Sequence, residues 1–217
     1  MIVTIVGTGA MARSIATRAL AGEHVVRLVG RSPGKAADLA DQLRATAPPG
    51  ATPDVRGSDA IAVEDADLVV LAVPHPAGLA VAAEYGAALA GSVLVDISNP
   101  VDFATLDGLV VPAGTSAAER IAAEAAPGVP VVKAFNTCFA GPLLGGRVQG
   151  LPLDVLIAGD DEDARRKVAE LAGTGGLNPL DVGPLRRARE LEALAFLHMA
   201  VQERLGLNWS SAVKILT

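Results

Sequence analysis

Short, unbroken apolar runs alternate along this chain with alanine-rich segments whose apolar residues recur at helical spacing. The runs Ile2 to Val6, Val25 to Val29, Leu68 to Val73, Val93 to Ile97, Val131 to Ala134, Val155 to Ala158 and, more weakly, Leu180 to Val182 predict strands. Between them the spacing predicts helices over Ala10 to Ala21, Lys35 to Ala45, Ala77 to Leu89, Ser116 to Ala126, Glu162 to Ala172 and Arg187 to Arg204. A strand that is apolar at every position, rather than at every second one, has no face for water and belongs in a sheet covered on both sides. The predicted fold class is therefore α/β: a Rossmann-type doubly wound, mostly parallel sheet with a small C-terminal lobe ending in a long helix. The proline-rich stretch Thr46 to Pro53 reads as a surface loop, with at most a short strand near Val55. Gly141 to Pro152 is turn-rich, and it is the expected boundary between a domain of residues 1–140 and a lobe of residues 141–217.

Composition narrows the class. The 217 residues are 51% hydrophobic and 19% charged, too apolar for a disordered chain. The net charge of -6 disfavours broad binding to nucleic acid or an anionic membrane. No apolar run reaches the roughly 20 residues that cross a bilayer, and Met1 leads directly into a strand, so a cytoplasmic location without membrane partners is expected. The single cysteine, Cys138, and three histidines without ligand-like spacing give no expectation of a disulfide or a metal.

In an open parallel sheet, ligands bind beyond the carboxyl ends of the strands, near the point where strand order reverses. The predicted strand ends carry Gly7-Thr8-Gly9-Ala10-Met11-Ala12, Gly30-Arg31-Ser32, Val73-Pro74-His75, Ser98-Asn99-Pro100 and Ala134-Phe135-Asn136-Thr137-Cys138. The first is G-x-G-x-x-A between a strand and a helix. Gly7 suits a tight turn, Gly9 lets backbone approach a pyrophosphate, Ala12 permits close helix packing, and the helix N-terminus offers free N–H groups. An NAD site would place an acid about 20 residues past the glycines, on the ribose 2'-hydroxyl. No acid occurs between Glu23 and Asp38. Arg31, Ser32 and Lys35 stand there instead, suited to a 2'-phosphate, so NADP(H) is the expected cofactor.

These motifs, with Asp96-Ile97-Ser98-Asn99-Pro100, Lys133-Ala134-Phe135-Asn136-Thr137, Ala158-Gly159-Asp160-Asp161, Asp181-Val182-Gly183-Pro184-Leu185 followed by Arg189 and Glu192, and the tail Gly206 to Leu216, resemble the F420-dependent NADP oxidoreductases over nearly the whole length. The pattern is similar to the bacterial branch; archaeal members carry a histidine at the position of Asn136 and an aliphatic residue at that of Cys138. It is also similar to the reductase domain of flavin-using metalloreductases. The resemblance implies an oxidoreductase passing hydride between NADP(H) and a flavin-type coenzyme, F420 or a flavin, in a cleft closed by the C-terminal lobe of a homodimer. The implied cofactor residues are Gly7 to Ala12, Arg31, Ser32, Lys35, Val73, Pro74, His75, Asn99, Pro100 and Ala134. Asn136, Thr137 and Cys138 are implied at the second coenzyme, with Asn136 a positioning candidate.

Other residues admit plainer roles. His75 is pinned between prolines, where it either meets the cofactor or is a solvated loop histidine. His198 falls in register with Leu191, Leu194 and Val201, as a core or interface residue would. Cys138 reads as a small apolar filler, Asp160 and Asp161 as helix-start residues, and Phe103 as core. Trp209 is a candidate wall for a planar ring. Lys133 lies in an apolar strand and Tyr85 in a helix, so neither reads as the acid/base that an alcohol dehydrogenase needs. A flavin-type acceptor needs little such help. An NADPH-dependent reductase of a carbonyl, imine or pyrroline, and a non-catalytic NADP-binding redox sensor, remain open alternatives.

Overall fold

The computed structural model describes residues 1–57 and 60–216. The first half alternates strand and helix: β1 Ile2–Val6, α1 Ala10–Ala21, β2 Val25–Val29, α2 Pro33–Arg44, β3 Asp54–Arg56, β4 Leu68–Leu71, α3 His75–Tyr85, β5 Val93–Asp96, α4 Ala117–Glu124 and β6 Val131–Lys133. Then follow α5 Ala140–Gly145, a small hairpin of β7 Arg147–Val148 and β8 Leu151–Pro152, β9 Asp154–Gly159, α6 Glu162–Thr174, β10 Asn178–Gly183 and α7 Ala188–Ala200. One eight-stranded sheet runs in the order β10-β9-β6-β5-β4-β1-β2-β3. Strands β1 to β6 are all parallel; β9 pairs antiparallel with β6, and β10 parallel with β9.

The continuous apolar runs are explained by two cores. Val3, Ile5, Val26, Leu28, Leu68, Val70, Val93 and Val95 join one core with Ile15 and Leu20 of α1, Leu39 and Leu43 of α2, and Val168 and Leu171 of α6. Their sequence neighbours Val6, Val29, Val69, Leu71 and Leu94 point the other way, against Tyr85 and Ile121. Strands β1, β2, β4 and β5 thus feed alternate side chains to both helix layers, and each fully buried large apolar side chain contributes about 1.5 to 3 kcal/mol.

Strand order fixes the crevice. From β1 the chain steps outward through β2 to β3, then returns to β4 on the other side of β1, so the reversal falls between β1 and β4. The carboxyl ends of β2, β1, β4, β5 and β6 lie along one rim in that order. Residues 141–216 extend this same sheet with β9 and β10. Helix α5 and the hairpin occupy the stretch read as turn-rich, and α7 stops at Ala200, short of the expected Arg204. A further correction is Phe103, expected in the core: it is 68% exposed.

Candidate functional site

The turn after β1 contains two glycines with different causes. Gly7 has φ +130°, and a Cβ there would lie 2.2 Å from the Ala72 carbonyl oxygen, so the fold itself demands glycine. Gly9 has φ -84°, which any residue adopts, and a Cβ there would meet nothing within 4 Å. It is the N-cap of α1, with no capping side chain and no acid in the first turn. Nothing in the fold asks for glycine at this place, and the open space before unpartnered helix N–H groups fits an anion pressed against backbone. Thr8 and Met11 are half-buried, Ala10 is exposed, and Ala12 is fully buried against the sheet.

A groove of about 450 Å³ runs from Thr8, Gly9 and Ala10 between α1, α2 and α5. Lys35 and Arg13 line it, together with Asp38. Ser14 donates to the carbonyls of Ala10 and Ala140 at 3.0 and 2.8 Å, which fastens α1 to α5 beneath it. At the end of β2, Arg31, Ser32 and Lys35 are all exposed; Ser32 is the N-cap of α2, with its side chain unused. Among the described residues, Arg13, Arg31 and Lys35 make no ion pair. Sequence reading passed over Arg13, although a cation one turn into a helix that carries no acid is the same electrostatic signal as Lys35.

Farther along the rim, β4 ends toward half-buried Val73 and exposed Pro74, and His75 opens α3. His75 is only 5% exposed and neither ring nitrogen has a partner, so it is not a solvated loop residue. Burial holds its pKa below the ordinary histidine value, which leaves a neutral ring. Beyond β5 and β6, Asn99 and Asn136 face each other. The Asn99 amide donates to the Asn136 carbonyl at 2.8 Å, and the Asn136 amide donates to Asn99 Oδ1 and the Leu191 carbonyl, both at 3.0 Å. Their donors are therefore turned inward, and Asn136 Oδ1 is left buried and unpartnered, as is Ser98 Oγ. Phe135, between β6 and Asn136, is buried with φ +62°, a left-handed conformation that costs a non-glycine residue about 1 to 3 kcal/mol. Pro100, Ala134 and Thr137 are buried beside this turn. Cys138 lies in the main core, its Sγ 3.5 Å from the Asp154 carbonyl, and burial pushes its thiol up to about 12. That thiol is packing.

Directly under the rim is a cluster that sequence reading missed. Lys133, at the end of β6, is wholly buried and donates to Asp96 Oδ2 at 2.7 Å, Glu192 Oε1 at 2.7 Å and the Ser98 carbonyl at 2.6 Å. Asp96 Oδ1 accepts from the Ser98 N–H at 2.9 Å, and Glu192 Oε2 accepts from the Ala117 N–H at 3.0 Å. Burial pushes the Glu192 carboxyl up, while Lys133 and the Ala117 N–H pull it back toward the anion. A lone lysine in a strand signals little; the distant acid from α7 that completes the set is visible only in three dimensions.

The remaining residues have structural roles. His198 is buried, stacks on Phe139 at 4.3 Å and bonds Ser211 at 2.8 Å; Trp209 meets Phe139 edge-on at 5.0 Å and is half-exposed. Asp161 caps α6 by accepting from the Ala164 N–H, and Asp160 accepts from the Leu185 N–H.

Comparison with known proteins places this geometry. Residues 2–100 match the family described as NADP oxidoreductase, coenzyme F420-dependent. The F420-dependent NADP reductase of Methanothermobacter marburgensis is 34% identical over 196 residues, covering 87% of this chain and 86% of that protein. Metalloreductase STEAP3 of Rattus norvegicus is 34% identical over 192 residues; the match covers 88% of this chain but only 36% of that longer protein. A crystal structure from Arthrobacter sp. FB24, provisionally named an F420-dependent NADP reductase, superposes with a TM-score of 0.81 at 26% identity, covering 99% of both chains. The chain belongs to the F420-dependent NADP oxidoreductase family.

Proposed function

We propose that this protein transfers hydride between NADP(H) and the deazaflavin coenzyme F420. The observation that carries the reading is the open space at Gly9 before the N-terminus of α1, with Lys35 and Arg13 in the adjoining groove and Arg31 nearby at the end of β2. In this reading the dinucleotide lies along the rim, with adenosine by Arg31, Ser32 and Lys35 at β2, pyrophosphate over Thr8 to Met11, and nicotinamide past Val73, Pro74 and His75 toward β5 and β6, an arrangement that the strand order supports. The unpartnered His75 ring, Ser98 Oγ and Asn136 Oδ1 are polar atoms that a bound amide and ribose would satisfy. Asn99, Pro100, Ala134, Asn136 and Thr137 frame the meeting place of the two rings, and Cys138 packs behind them.

When bound, the coenzymes would supply the chemistry, a hydride passing from the dihydronicotinamide to the deazaflavin with one solvent proton completing the reduction. The protein holds donor and acceptor in register. Hydride passes directly between the two rings without an acid/base group from the rim, and Lys133 there is fully paired. Leu191 and Glu192 of α7 lie against the end of β6 and the start of α4, the Leu191 carbonyl accepting from Asn136 and Glu192 from Lys133 and the Ala117 N–H. A homodimer in the cytoplasm completes the proposal. Steady-state turnover of NADPH with F420, FMN and FAD tests it: F420 is the expected best acceptor. Turnover faster with a flavin would reassign the acceptor, and NADPH binding without turnover on any of them would favour a sensor.

A further inference from the structure

Resting on that reading, we propose that the buried Lys133–Asp96–Glu192 cluster biases the bound nicotinamide toward its oxidised, cationic form. All three side chains are 0% exposed. Each of the three Nζ protons of Lys133 has an acceptor: Asp96, Glu192 and the Ser98 carbonyl. The recorded partners of both carboxylates are donors only: Lys133 and the Ser98 N–H for Asp96, and Lys133 with the Ala117 and Ala118 N–H groups for Glu192. A carboxylic acid proton would need an acceptor there, and none is placed for it. One ammonium against two carboxylates leaves one net negative charge, softened by the N-terminus of α4 but not removed.

The cluster is bonded to both peptide groups of Ser98, its N–H donating to Asp96 and its carbonyl accepting from Lys133, and the Ser98 side-chain oxygen is buried and unpartnered at the end of β5. The cluster therefore lies under the end of the rim where strand order places nicotinamide. Hydride loss turns the neutral dihydronicotinamide into a cation. In a water-poor setting a fixed anion stabilises the cation and leaves the neutral form almost unaffected. NADP+ should accordingly gain affinity that NADPH does not. Among the other charged groups of α4 and α7, Glu119 is half-buried but paired with exposed Arg189, and Arg120, Glu124 and Glu190 are exposed and screened; His75, which feels Asp96 and Lys133, is held neutral by burial.

The test is calorimetric titration of NADP+ and NADPH into the native protein and into Glu192→Gln, which keeps shape while neutralising the cluster. The expected result is an NADP+ dissociation constant raised about fivefold or more, with NADPH changed less than twofold. Asp96→Asn should shift the same ratio in the same direction, and it carries the comparison if Glu192→Gln does not fold. A purely structural cluster would weaken both forms equally; equal losses, or an unchanged ratio, would overturn the inference while leaving the cofactor reading intact. A native protein that binds neither form would overturn both.

Discussion

Gly7 and Gly9 stand two residues apart in one motif and are glycine for opposite reasons. At Gly7 a Cβ would collide with the Ala72 backbone, in a left-handed conformation, so Gly7→Ala should lower stability by several kcal/mol. At Gly9 the space is open, so Gly9→Val should fold with a melting temperature near that of the native protein and yet lose NADP binding. Thermal melts with and without NADP separate the two: the native protein shifts upward with cofactor and Gly9→Val does not. A Gly9→Val variant that still shifts would mean that the motif is only a structural turn. The sequence made both glycines visible as a motif, but not their division of labour, which depends on what lies opposite each one. Asn136 shows the same limit. Its position at a strand end was legible, whereas the loss of both its amide donors to Asn99 and Leu191 depends on contacts 37 and 55 residues away.

Among the elements, those built from local signals were legible and those built from distant partners were not. Helix α1 spans its expected limits because alanines and Ile15 repeat at helical spacing between Gly9 and Gly22. Helix α5 was hidden because two glycines and Pro142 in six residues argue for a turn; packing on α1, through Ser14, overrides that propensity. The antiparallel entry of β9 beside β6 left no mark in the sequence, since a strand buried on both faces looks alike in either direction. The junction of β2 and α2 was legible, and its charge makes a prediction. Arg31, at the end of β2, is exposed and makes no ion pair among the described residues, so its removal costs the fold little, whereas a charge-assisted bond to a 2'-phosphate is worth roughly 1.5 to 3 kcal/mol. Arg31→Ala should weaken NADP about tenfold or more and leave NAD nearly unchanged in equilibrium titrations. Equal losses for both would remove Arg31 from the phosphate site.

At the scale of the whole molecule, burial sets how stability responds to acid. His24, His75 and His198 all have pKa values lowered from 6.5, chiefly by burial, so the unfolded chain takes up protons before the folded one does. Stability should therefore fall as pH drops through about 6.5. Glu119, held down by Arg189, and Asp154 and Asp181, which Lys214 and Arg165 hold down against burial, extend the loss below the ordinary carboxylate range near pH 4. Glu192, raised by burial, opposes this trend. The urea midpoint should decrease from pH 7 to pH 5; a flat or rising midpoint would contradict the burial of the three histidines. In the proposed function this sheet rim brings NADPH and F420 together for direct hydride transfer, with Asn136 fixing their register. Displacing a reacting pair by about 1 Å costs on the order of a hundredfold in rate. The most direct measurement is stopped-flow loss of the visible deazaflavin absorbance in a single turnover with saturating NADPH. The account predicts rapid bleaching by the native protein, and a much slower rate for Asn136→Ala at little-changed NADP affinity. A native protein that binds NADPH yet leaves the deazaflavin unbleached would contradict it.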